Sequence, residues 1–446
     1  MTSRSDSGGA PVVRLRDLHP TLRLRLVIAF VERALNTMVI PLMAIYLAAH
    51  FGSGPAGLLI LGSVGVAVIA SLSSGHFADV VGRRRTLLVG ALAMAVGFTG
   101  MAVAAAPWWS SPLTVFVFYL LQAAAAAFIQ PVHDAVIIDV TVPEERKAVY
   151  TINYWSFNIA LATGALLGGF LYNHHFMGLL VGASVCALGA SLLTYLFLEE
   201  TAPPLPRALD AAGTVAKEVV RGYAVAVKDR RFMMLLIAMT LILGLEMQRT
   251  SGYVAVRIAQ DVPTQSLLPF DIGVPNVTGI QLLGILQASN TVCVVLLALV
   301  SERLMRRFDD RKRILIGVAL FTVACVILAT SDVASILLIA MLVLTLGELM
   351  HIPVMQTVLA GVVPERSRTR YMAVFNLNVR GGMVIASLSL SAGTLLSPWG
   401  MAGLYVVLGL CAAMLYCSLW ATVPRWSRRQ PQLTPARAAP PRAAKH

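Results

Sequence analysis

Apolar residues in this chain come in long runs separated by short polar gaps. Twelve runs fall at 25–49, 55–75, 86–106, 112–137, 149–172, 177–198, 232–257, 277–300, 314–330, 334–358, 371–395 and 402–423. As helices rising 1.5 Å per residue, each is long enough to cross about 30 Å of hydrocarbon. The pattern predicts an all-α integral membrane protein of twelve transmembrane helices. A composition of 57% hydrophobic and only 13% charged residues agrees with it.

The polar gaps carry the orientation. With the N-terminus in the cytoplasm, and Arg25 at the very edge of the first run counted with the tail, 31 of the 35 lysines and arginines fall in the two tails and the alternate connecting segments. The other four, Arg33, Arg249, Arg257 and Arg380, lie inside apolar runs, and the six loops on the far side hold none. A positive-inside protein has this asymmetry. The net charge of +13 is therefore a topology signal, and no nucleic-acid partner is expected. The expected location is the cell inner (cytoplasmic) membrane, multi-pass, with both termini cytoplasmic. The first run is too long for a cleavable leader and lacks a small-residue cleavage site.

The chain divides into a cytoplasmic tail (1–24), a six-helix bundle (25–198), a cytoplasmic linker (199–231), a second six-helix bundle (232–423) and a tail (424–446) that reads as disordered. In the linker, Pro203, Pro204 and Pro206 stop the sixth helix. Val215, Val219, Val220, Tyr223 and Val227 then recur at helical spacing, as in an amphipathic helix on the inner membrane surface or a solvated linker helix. Cys186, Cys293, Cys325, Cys411 and Cys417 all lie within apolar runs and read as small core hydrophobes. No cofactor or metal site is expected, since the His174–His175 pair is too sparse a ligand set.

The two bundles echo each other. Pro143, Glu144 and Tyr150 recur as Pro364, Glu365 and Tyr371, and Asp79, Arg83 and Arg84 recur as Glu302, Arg306 and Arg307. A duplicated six-span unit, its copies related by an axis along the membrane normal, is a transporter architecture.

The segment "GHFADVVGRRR" resembles the signature loop of the major facilitator superfamily in Gly75, Asp79, Gly82, Arg83 and Arg84, with Val80 standing where a basic residue is common. "GALLGG" is similar to the fifth-span motif of drug-exporting antiporters through Gly164, Gly168 and Gly169, with Ala165 in place of a proline. In the fourth span Gln122 fits those exporters, while Tyr119 stands where they usually place an arginine. "GELMHIPVMQT" and "FVERALNTMVIPLMAIYL" also resemble proton-coupled oligopeptide transporters. The resemblance implies two pseudo-symmetric six-helix bundles around a central cavity, and a conformational-switch loop in which Asp79 holds the halves together in one state and releases them in the other.

An ionised side chain at mid-bilayer costs roughly 2.5–3.5 kcal/mol on insertion scales, so each one inside a run asks for a reason. Glu32, Asp134, Glu246 and Glu348 fall in the first, fourth, seventh and tenth runs, helices that the resemblance places around the cavity. Glu246 and Arg249 are three residues apart on one helical face, as are Glu348 and His351. Glu32, Asp134, Glu348 and His351 are the proton-coupling candidates. Arg33, Asn36, Glu246, Arg249 and Arg380 are candidates for the substrate cavity or a gate. His133 accompanies Asp134, and Asp139 and Arg257 lie near run ends where they reach water.

No ATP-binding loop of the Gly-x4-Gly-Lys-Ser/Thr type occurs, which leaves an ion gradient as the energy source. The reading is a secondary active transporter, not an enzyme, that works by alternating access. Its leading form is proton-coupled efflux of small amphipathic organic compounds, as in multidrug or antibiotic export. Proton-coupled uptake of peptides or other metabolites, and lipid translocation, are the alternatives. The expected partners are a small-molecule solute, protons and the lipid bilayer, with the chain a monomer.

Overall fold

Each apolar run is helical because a helix pairs its backbone N–H and C=O groups within the segment, as hydrocarbon requires. A computed structural model describes residues 20–141, 143–201, 225–268, 276–305, 308–364 and 368–422. Most of the N-terminal tail, all of the proposed amphipathic helix before residue 225, the C-terminal tail, and Arg306, Arg307 and Glu365 of the repeat lie outside the described residues.

The first half contains α1 (Pro20–Phe51), α2 (Ser53–Val81), α3 (Arg83–Ala104) and α4 (Pro112–Val140). A helical run from Pro143 to Phe197 follows, bent at His175 (φ −139°, ψ 33°) and dividing into α5 (Val149–Asn173) and α6 (His175–Phe197). His174 and His175 thus sit at a helix bend rather than in a free loop.

The second half contains α7 (Arg230–Glu246), a single 3-10 turn (Met247–Arg249), α8 (Tyr253–Asp261), α9 (Gly279–Met305), α10 (Asp310–Thr330), α11 (Ala334–Val362), α12 (Arg368–Phe375), α13 (Leu377–Ala392) and α14 (Pro398–Thr422). Eleven stretches of the described residues are long and apolar enough to cross a membrane, α7 through α8 counting as one. The remaining run, 371–395, is divided at Asn376 into α12 and α13. The all-α twelve-span architecture holds, with two spans broken. Large apolar side chains such as Ile69, Leu196, Leu296 and Leu410 are exposed on the outer faces, as suits a protein solvated by lipid.

The duplication extends to the bends. Pro131 lies inside α4 and Pro353 inside α11, the fourth span of each half. A proline within a helix frees the carbonyl four residues before it and bends the axis.

The halves meet where small residues let backbones approach. α5 packs on α9, α2 on α13 and α1 on α8. A β-carbon on Gly284 of α9 would stand 2.7 Å from the Ala165 carbonyl oxygen of α5, and one on Gly57 of α2 would stand 2.5 Å from the Ser387 carbonyl oxygen of α13. The Ser391 hydroxyl donates to the Gly54 carbonyl at 2.8 Å, and the Asn173 amide donates to the Thr278 hydroxyl at 3.2 Å. These contacts all lie at the end of the molecule away from the arginine-rich loops.

Candidate functional site

The site begins with a break in a helix. After α7 the backbone leaves α-helical geometry at Met247–Arg249 and resumes at Tyr253. The Gln248 amide serves the backbone groups released there. It donates to the Gly244 carbonyl at 3.2 Å and accepts from the Tyr253 N–H at 3.2 Å and the Tyr405 hydroxyl at 3.0 Å. Irregular backbone at membrane depth is tolerated where protein groups replace the lost partners.

This break sets Glu246 and Arg249 at the head of a polar network. Arg249 donates to Glu246 at 3.1 Å, to the Asn290 carbonyl oxygen at 2.9 Å and to Gln287. Asn290 donates onward to Glu348 at 3.2 Å and to the Thr345 hydroxyl at 2.9 Å. Two carboxylates from α7 and α11 are therefore linked through one guanidinium and one amide on α9. With both carboxylates ionised, the network carries one negative charge in excess.

A cavity of about 460 Å³ lies beside it, with Met239, Ile242, Glu246, Phe321 and His351 among its walls. Val363 and Met372 also line it, so it extends to the arginine-rich end of α11 and α12. His351 bonds to the Tyr416 hydroxyl through Nε2 at 2.8 Å. The sequence spacing pairs His351 with Glu348, and the structure gives each its own partner. Residues three apart differ by about 60° around a helix, which turns Glu348 toward α9 and His351 toward α14. Gly317 of α10 holds the His351 side against its backbone: a β-carbon on Gly317 would lie 3.0 Å from the His351 β-carbon.

A second cavity, about 550 Å³, lies between the halves. Asn36, Tyr119, Gln122 and Asp134 line it from one side, and Asn376 and Arg380 from the other. Asp134 accepts from Gln130 at 3.2 Å. The Gln122 amide donates to Asn36 at 3.2 Å.

His133 turns away from its neighbour Asp134, since consecutive helical residues are 100° apart. It is buried, and its Nδ1 accepts from Arg25 at 3.1 Å. Arg25 also donates to Glu32 at 2.9 Å. Arg33 donates to Asn153 at 2.7 Å, and its guanidinium lies 5.6 Å from the centre of the Phe157 ring. A chamber of about 40 Å³, with Arg25, Glu32, Arg33 and His133 in its walls, shares Asn36, Ala126 and Gln130 with the central cavity. It has room for one or two waters.

The loop between α2 and α3 stays within its own half here. Gly82 has φ +100°, a conformation that side chains other than glycine rarely adopt. Glu200 accepts from the Arg83 N–H at 2.8 Å and the Arg84 N–H at 3.2 Å, placing a carboxylate at the positive end of α3. Arg83 bridges Asp79 and Asp139 at 3.3 Å each, and Arg84 donates to the Tyr195 carbonyl at 2.6 Å. Gly75 faces open space.

Arg257, expected to reach water at a run end, is instead buried. It pairs with Asp332 and caps the Leu328 and Ser331 carbonyls at the end of α10. Sequence reasoning missed Arg25, which it assigned to the tail, and the amides Gln248, Gln287 and Asn290. A signal existed for Arg25: it stands seven residues, two helical turns, before Glu32 on one face. Gln287 and Asn290, three apart in an apolar run, gave a similar one.

The sequence profile of the Major Facilitator Superfamily matches residues 26–377 and 271–444. A Na(+), Li(+), K(+)/H(+) antiporter of Planococcus maritimus is 30% identical over 417 residues, covering 92% of this chain and 97% of that protein. The multidrug resistance protein MdtH of Edwardsiella ictaluri is 25% identical over 366 residues, covering 78% and 81%. Among solved structures, a POT family transporter in complex with 5-aminolevulinic acid superposes with a TM-score of 0.71 at 14% identity, covering 92% of this chain and 97% of that one.

Proposed function

The chain belongs to the major facilitator superfamily, and from that premise we propose that it is a proton-coupled exporter of small amphipathic organic solutes working by alternating access. The observation that carries this reading is the excess negative charge of the Glu246–Arg249–Asn290–Glu348 network. One proton neutralises it, and one proton released restores it. The cavities beside it and between the halves each have a volume suited to a drug-sized molecule.

With the arginine-rich loops in the cytoplasm, the present conformation is closed outside and open inside. The units 25–198 and 232–423 then rock about the α5–α9 and α2–α13 contacts. Asp79, held by Arg83 within its own half in this state, is free to meet the other half when the inner end closes. Glu32, Asp134 and His351 are secondary candidates for the proton path. The names of the multidrug relatives favour export.

A second reading is exchange of monovalent metal cations for protons, favoured by the Planococcus maritimus relative. The same excess charge would then take Na+, Li+ or K+, with carboxylate, amide and hydroxyl oxygens as ligands suited to a hard cation. The test uses the full chain in proteoliposomes carrying an internal pH dye and an imposed proton gradient. Dissipation on adding an amphipathic amine or acid beyond that of protein-free vesicles, with no response to alkali chlorides, supports solute export. Dissipation by alkali chlorides alone supports the second reading, and no dissipation by either removes both.

A further inference from the structure

Among the described residues, the charges inside the membrane region have an opposite charge nearby except at two places. Arg25 meets Glu32, Arg249 meets Glu246, and Arg257 meets Asp332. Arg33 lies within electrostatic reach of Asp134. The first imbalance is the excess carboxylate of the network around Glu348, which the proposed function uses.

The second imbalance is Arg380. This half-buried guanidinium lines the central cavity, and its hydrogen-bond contact among the described residues is the Met383 sulfur, 3.9 Å from Nη1. A thioether sulfur is a weak acceptor, so among the described residues the charge is carried into the membrane without a counter-ion. It faces a space of about 550 Å³, far larger than a halide or inorganic phosphate needs. Ile40, Ile60, Val64, Phe157 and Val379 supply apolar wall around that space.

We propose that Arg380 is a substrate-binding residue and that the transported solute is an amphiphile bearing one singly charged anionic group, a carboxylate, sulfonate or phosphate diester. This rests on the exporter reading and names its solute class. The planar fork of a guanidinium matches two oxygens of such a group at once, and an ammonium does not reproduce that match. Asp134 lines the same cavity from the opposite half. A carboxylate in that wall disfavours a second negative charge on the solute, so the group bound is a monoanion. Proton and solute then occupy separate places: the proton in the network of α7, α9 and α11, and the anion on α13.

The test compares three probes that share one aromatic body: 2-naphthoate, its neutral amide, and 2-naphthylmethyl-trimethylammonium. Equilibrium binding to the purified full chain is measured for the wild type, Arg380→Gln and Arg380→Lys. The wild type should bind 2-naphthoate at least about tenfold more tightly than the amide. Arg380→Gln should lose that preference and Arg380→Lys should keep part of it, while both bind the amide as the wild type does, which also reports correct folding. Equal binding of the three probes, binding of none, preference for the cation, or an undiminished naphthoate preference in Arg380→Gln each overturns the proposal. The exporter reading fails separately, when the wild type shows no pH-driven flux of any probe. Pumping of the cationic probe with unchanged rate in Arg380→Gln leaves that reading standing and sinks this one.

Discussion

In the first half a buried acid closes on its own arginine: Arg25 holds Glu32 and His133, while Arg33 rests on the neutral Asn153 and Phe157 ring. In the second half Glu246 and Glu348 share one arginine through Asn290. A closed pair gains little by taking up a proton, because protonating its acid strands a buried cation. A pair of acids around a single cation has one vacancy of charge that a proton fills. The halves share one architecture, yet among the described residues only the second links two acids to a single guanidinium. The difference points to a rigid strut in one half and a titrating element in the other.

The largest effect should come from breaking the strut. Removing one partner of a buried ion pair costs about 3–5 kcal/mol, because the other charge stays buried and uncompensated. Arg25→Met should lower stability by that order, read as thermal unfolding of the purified protein. Arg25→Met combined with Glu32→Leu should recover most of it. Equal stability of the wild type and the single variant would show that the pair bears no load.

Next comes the titrating element. Glu348→Gln keeps an oxygen for the Asn290 amide and removes the charge, so folding and membrane insertion should persist. pH-driven flux should fall about a hundredfold, or roughly 2.7 kcal/mol at 1.36 kcal/mol per tenfold. The matched variant Glu32→Gln should retain pH-driven flux per folded molecule. Reversed outcomes for the two would move the proton path into the first half.

How much of this was legible in the sequence depends on what lipid selects. Span length and the arginine asymmetry follow from the bilayer alone, and the predicted runs match the helices closely. The break at Asn376 was not legible, and the one at Met247–Arg249 left only the polar stretch EMQRTSG (246–252) inside an otherwise apolar run. The group that makes that break tolerable is one amide, Gln248, acting through Tyr405 a hundred and more residues away. The membrane-embedded acids stood out by their cost, but their partners did not. Whether Glu348 faces His351 or Asn290 depends on a rotation of about 60° and on which helix packs alongside. Arg25 lay at a run edge, where composition cannot distinguish a snorkelling arginine from a buried one.

The contact between the halves gives a smaller effect. Gly284→Val would press side-chain atoms against the Ala165 carbonyl and Gly169, and overpacking of this kind costs about 1–3 kcal/mol. In a transporter that cost falls on the conformation in which the contact exists. A reporter cysteine at Asn173, beside the seam, should label several-fold faster in the variant. An unchanged rate would mean that the seam does not open during the cycle.

The smallest effect belongs to the switch loop. The Asp79–Arg83 pair is exposed, with 3.3 Å between its charged atoms, and pairs of that kind are worth about 0.2–1 kcal/mol. Asp79→Asn should therefore leave the present state nearly as stable as before. If Asp79 bonds to the other half when the arginine-rich end closes, the variant loses more in that closed state than in this one. The population should then shift toward the state seen here by about fivefold or less, a factor that corresponds to about 1 kcal/mol. Accessibility labelling of cysteines introduced separately at Ser71 and Asn173, with and without Asp79→Asn, measures that shift from both ends. Labelling should rise at Ser71 and fall at Asn173; identical rates in the two backgrounds would leave Asp79 a partner of Arg83 with no part in the switch.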